Sequence, residues 1–104
     1  MIERRLTGFD IKEKKDDFVL IPLVFILENE KYHGFVPGFV MRDIISSDLN
    51  ECKKMLTNYV KTEAKKMIEE NIDFPYFPED GEIKADFKNV VDILRKSFIV
   101  NNQN

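Results

Sequence analysis

Between Phe18 and Leu27 the chain reads FVLIPLVFIL, with no polar residue on either parity. Strict alternation would mark a strand wet on one face; an unbroken apolar run rich in β-branched and aromatic residues marks one covered on both. Pro22 removes a backbone donor from that run. A strand lying at a sheet edge, or bulged at Pro22, is therefore predicted, with its second face covered by another copy of the chain. Glu28-Asn29-Glu30-Lys31 is a polar break and Tyr32 to Val36 is extended again, which makes the pair a hairpin. Val36-Pro37-Gly38-Phe39 puts Pro and Gly at the central positions of a type II turn. An extended segment resumes from Val40 to Ile45.

At Asp48 the spacing changes. Leu49, Cys52, Met55, Leu56, Tyr59, Val60, Ala64, Met67 and Ile68 follow one another largely at steps of three and four. That is the period of a helix with one apolar stripe, suited to packing on a face of a sheet. Asp48 and Glu51 have the spacing of a capping box at its start. Glu63 falls within the apolar arc and is expected at its edge, reaching solvent. Asn71 and Asp73 can stop the helix, Pro75 and Pro78 forbid its continuation, and a turn follows at Asp80-Gly81. From Asp86 to Val100 both periods fit. Phe87, Val90, Val91, Leu94 and Phe98 make a helical stripe capped by Asp86, whereas Val91, Ile93 and Ile99 suit a strand, so both readings stand.

The pattern predicts an α+β fold: an antiparallel sheet of three to four strands with one long amphipathic helix packed on one face. At 104 residues the chain is one domain, 1–104, with a charged lead-in over 1–16 and a core over 17–100. A net charge of −3 argues against direct nucleic-acid binding, which needs a concentrated basic surface, and suits a protein partner that is itself basic. Cys52, the single cysteine, excludes an internal disulfide and a multi-cysteine zinc site and points to a reducing cytoplasm. The apolar run is about half of the roughly 20 residues a membrane helix needs, so no membrane span is expected.

Candidate chemistry is sparse. No phosphate loop, dinucleotide glycine pattern, nucleophile elbow or paired metal-binding histidine occurs. Neither catalysis nor a cofactor nor a metal is expected. His33, the lone histidine, reads as structural or exposed, and Cys52 as a small buried thiol on the helix stripe. Glu69-Glu70 and Glu79-Asp80 with Glu82 lack the spacing of a calcium loop and read as solvated surface. Lys54, Lys61 and Lys65 form a basic ridge on the helix and read as a solvent face. Phe74, Tyr76 and Phe77 are three aromatics in four positions after the helix. They either close the domain's own core, the commoner outcome, or form a partner patch together with Glu79 and Asp80.

Val36-Pro37, followed by Gly38, and the run Asp48-Leu49-Asn50-Glu51-Cys52 carry a resemblance. Together with the order strand, hairpin, bend, strand, amphipathic helix, they resemble the HicB family of antitoxins, whose pattern runs Val-Pro-Asp-Leu-Pro-Gly-Cys and then Gly-Asp-Thr-Leu-Glu-Glu-Ala at the helix start. The spacing is kept without a gap, but Val40, Met41 and Ser46 stand where the family has Pro, Gly and Gly. The likeness covers about residues 18 to 78. It implies a partial ribonuclease H-like fold and a protein that binds and sterically inhibits HicA, a small basic toxin that cleaves messenger RNA. The roughly 20 residues after Glu82 are expected to be too few for the DNA-binding domain that many members carry behind this module. A homodimer or higher oligomer is also expected, through the Phe18 to Leu27 strand or the terminal segment. The alternative is a non-catalytic homo-oligomeric accessory or phage-type module with no toxin partner.

Overall fold

The unbroken apolar run forms an interior strand of a four-stranded antiparallel sheet. The computed structural model describes residues 16–101, in the order β1 (Asp16–Glu28), β2 (Lys31–Phe35), β3 (Ile44–Ser46), α1 (Leu49–Glu69), α2 (Asp80–Asp86) and β4 (Val90–Asn101). Strand order across the sheet is β3-β2-β1-β4. The fold is therefore α+β as expected, with α1 packed on one face. The charged lead-in lies outside the described residues, apart from Asp16, where β1 already begins.

β1 and β2 are joined by Asn29 and Glu30, both at positive φ (53° and 63°), with Glu28 and Lys31 paired beside them. Two left-handed central residues are what a two-residue type I′ hairpin requires. Gly38, at φ 102°, accepts the left-handed place in the Val36–Phe39 turn, where the Phe39 N–H donates to the Val36 carbonyl at 3.1 Å. Gly38 also lets Pro75 approach, since a Cβ there would stand 3.2 Å from its ring.

Ile21, Leu23 and Phe25 share one face of β1 and join Val36, Cys52, Leu56, Val60 and Ala64 in a single buried cluster beneath α1. Each large aliphatic or aromatic side chain buried there stabilises the fold by roughly 2 kcal/mol. Gly34 marks the closest approach of helix and sheet: a Cβ on it would meet Cys52 Sγ and Phe25 at 3.1 Å and Leu56 at 3.2 Å.

Alternation sends Pro22 and Val24 to the opposite face, and both are fully buried. The cover here is the chain's own α2, where the sequence predicted a second copy. Arg95, the register partner of Pro22, reaches Asp80 of α2, and Phe87, just past α2, packs edge-on against Phe35, the register partner of Val24, at 4.9 Å. Ile83 of α2 is fully buried.

At Pro22 the expected edge position holds locally. β1 is interior in strand order, but β2 pairs with it only from Val24 onward, so at Pro22 β1 has β4 alone beside it. The bulge falls between Phe25 and Ile26 instead. Residues 86–100, open between helix and strand, enter α2 with Asp86 and β4 from Val90.

The start of α1 departs from the predicted capping box. Asp48 is the N-cap residue, yet its side chain makes no cap hydrogen bond. Ser46 takes over: its Oγ accepts from the Asp48 N–H at 3.1 Å and donates to Glu51 at 3.4 Å. The far end closes as the sequence suggested. Asn71 sits at φ 56°, with Ile72 N–H donating to Met67 O at 2.8 Å and Asn71 N–H to Ile68 O at 3.2 Å, a Schellman arrangement.

Candidate protein-binding surface

The stretch from Ile72 to Glu79 has no regular structure and links the two helical layers. Its aromatics divide between inside and outside. Phe74 and Phe77 are half-buried against the core cluster, with ring centroids 6.3 Å apart, and Phe77 lies 5.9 Å from Phe39. They tie the segment to the residue that follows the Pro37-Gly38 turn. Tyr76 points outward, 73% exposed.

Around Tyr76 the carboxylates are organised. Its hydroxyl donates to Glu82 Oε1 at 2.7 Å, and the same oxygen accepts the Glu79 N–H at 2.9 Å. Those two bonds, the backbone one foremost, hold the Glu82 carboxyl below its ordinary range, while the bond to Glu82 pushes the Tyr76 hydroxyl up. Glu79 and Glu82 form a reciprocal capping box at the start of α2. Asp80 accepts from Arg95 Nη2 at 2.7 Å and from Nε at 3.2 Å, and Arg95 also donates to the Pro78 carbonyl at 3.1 Å. Of the five predicted contact residues, Tyr76, Glu79 and Asp80 are exposed, the first two joined through Glu82 and the third paired with Arg95, while Phe74 and Phe77 are half-buried against the core.

Beside this surface runs a groove of about 250 Å³ lined by Phe39, Val40, Tyr59, Glu63, Met67 and Pro75, with Gly38 and Asp73 completing it. Val40 is fully exposed there. Burial, and then the Glu63 charge, raise the Tyr59 hydroxyl above its ordinary value. Glu63 is half-buried in this wall. The groove is smaller than the roughly 300–1,000 Å³ typical of small-molecule sites and is sized for a side chain.

The remaining candidates have structural environments. His33 Nδ1 lies 3.3 Å from Asp43 Oδ2, a partner ten residues away that sequence spacing did not suggest. Cys52 is buried, with Sγ 3.3 Å from the Ile44 carbonyl, and burial pushes its thiol above the ordinary value, away from nucleophilic use. Lys54, Lys61 and Lys65 are exposed. Among the described residues, no three His, Cys, Asp or Glu side chains gather as metal ligands, and no helix is long and apolar enough to cross a membrane.

Sequence reasoning missed α2, its capping box and the Arg95 link. The Glu79-x-x-Glu82 spacing was the available signal for the cap. Comparison of the chain with protein-family models, with curated proteins and with solved structures finds no match in any of the three.

Proposed function

We propose that this chain is a HicB-like antitoxin, or a solitary relative of one, that binds a small basic RNA-cleaving toxin and occludes its active site without doing chemistry of its own. The observation that supports this reading best is exposed Tyr76 bonded to Glu82, with Glu79 in the same capping box, on a segment anchored by Phe74 and Phe77. An aromatic with an apolar body and a polar tip, set beside carboxylates, is chemistry suited to a basic protein surface. Acidic complementarity would speed the encounter, and the adjoining groove would take one apolar or basic side chain of the toxin. The reading places the protein in the cytoplasm and includes self-association.

Its test is capture of partners by the tagged protein from its own cells, followed by expression of any small basic partner alone. A partner that arrests growth alone, and is neutralised by this chain, supports the proposal. Tyr76→Ala is then expected to weaken the complex by roughly 2 kcal/mol, a typical hot-spot loss, with little change in thermal stability. Unchanged affinity would remove this surface from the interface. Recovery of the chain with only itself favours the alternative, a non-catalytic homo-oligomeric accessory or phage-type module.

A further inference from the structure

One carboxylate interrupts the apolar stripe of α1. Tyr59, Glu63 and Met67 stand four residues apart, about 6 Å per step along the helix, and all three line the groove of about 250 Å³. Neighbouring Val60 and Ala64 are fully buried, and Glu63 is itself half-buried. A carboxylate placed there gives up part of its hydration, a loss that only a partner offsets.

The rest of the lining divides by chemistry. Phe39 and Val40, just past the Pro37-Gly38 turn, and Pro75, packed against Gly38, supply its apolar part. Asp73 adds a second carboxylate. Among the described residues, no Lys, Arg or His lines the groove, and neither Glu63 nor Asp73 forms an ion pair. The Glu63 charge is near enough to the Tyr59 hydroxyl to raise it, second only to burial. The carboxylates around Tyr76 differ in this respect. Glu82 accepts from Tyr76 and from the Glu79 N–H, and Asp80 accepts from Arg95, so both are engaged within the chain.

We infer that the groove is a subsite for a single arginine side chain of a partner protein, its stem against Phe39, Val40 and Pro75 and its guanidinium held by Glu63 and Asp73 beside the Tyr59 ring. That the arginine belongs to a protein rests on the function proposed above; that the occupant is a guanidinium rests on the groove alone.

The lining selects this occupant over others. An apolar side chain would strip water from Glu63, Asp73 and the Tyr59 hydroxyl without supplying a hydrogen bond in exchange. An acidic one would add like charge. A lysine brings a compact, strongly hydrated point charge. A guanidinium is more weakly hydrated, carries five donors to share between two carboxylates, and stacks on an aromatic face while its stem covers apolar surface.

The experiment is a titration of the full-length, isotope-labelled chain, followed by amide chemical shifts, with a capped glycine-arginine-glycine peptide and with its lysine, leucine and citrulline counterparts. The arginine peptide is expected to saturate with a dissociation constant of about 1–10 mM, shifting Gly38 to Val40, Tyr59, Glu63, Met67 and Asp73. Citrulline, the same shape without the charge, and leucine are expected not to saturate, and lysine to bind about threefold weaker or more. Glu63→Gln keeps the side chain's size and is expected to weaken arginine binding about tenfold. The comparison of peptides on the wild type decides the matter even if that variant fails to fold. Citrulline or leucine binding as tightly as arginine, lysine matching arginine, shifts centred on Tyr76 and Glu82, or no saturation below about 100 mM each overturns the proposal. So does movement of the groove amides in Arg4→Ser/Arg5→Ser with no peptide present, which gives the groove to the chain's own lead-in. The peptides report on the groove without any toxin, so failure of the antitoxin reading and failure of this subsite show separately.

Discussion

Gly34 is the residue on which the helix-to-sheet distance depends. Its missing side chain is the space that Cys52, Phe25 and Leu56 close over, all within 3.2 Å of where a Cβ would stand. Gly34→Ala is therefore expected to lose about 1–3 kcal/mol, the usual cost of overpacking, seen as a lower urea midpoint with an unchanged slope. The loss should shrink when Cys52→Ala is added, because that substitution removes the Sγ that the new methyl meets, and a double-mutant cycle would measure the coupling. No such effect was readable at Gly34 from the chain alone. The residue sits in a strand pattern like any other, and only the register Phe25–Gly34–Ile44 reveals what lies above it.

At the level of elements, α1 was legible and α2 was not, for one physical reason. α1 repeats its apolar period over 21 residues, whereas α2 has seven, a glycine in its first turn and a single buried side chain, Ile83. A helix that short is held by tertiary contact and capping, not by propensity. Ile83→Ala is thus expected to cost roughly 3 kcal/mol and to free α2 locally. Amide exchange would rise across Asp80 to Phe87 before it rises in α1, and uniform exchange across both helices would contradict this. β4 was undecidable for a related reason: its apolar residues satisfy both periods, and what selects the strand is the ladder with β1, far away in sequence. The aromatic segment was legible as a dense cluster. Which ring faces inward was not, because that depends on Phe39 and the Pro37-Gly38 turn meeting it in space.

For the whole molecule, the acid limb of stability carries the electrostatic signature. Lys53 of α1 reaches Asp92 of β4 at 2.6 Å and, as the leading cause, holds that carboxyl below its ordinary value of 3.8. A carboxylate depressed in the folded state contributes stability that is fully present above the unfolded value. It is lost as pH falls through the folded one. Asp92→Asn is therefore expected to lower the melting temperature at neutral pH and to converge with the wild type once pH has fallen through the depressed folded value, where both lack the charge. Parallel curves at every pH would assign the loss to packing instead.

The ladder between β1 and β4 also has a temporal side. The most apolar segment of the chain is translated about sixty residues before the strand that covers its long edge, which starts at Val90. At roughly 5–20 residues per second this leaves the edge of FVLIPLVFIL that β4 will pair open for several seconds. The nascent chain passes through that interval as an aggregation-prone species.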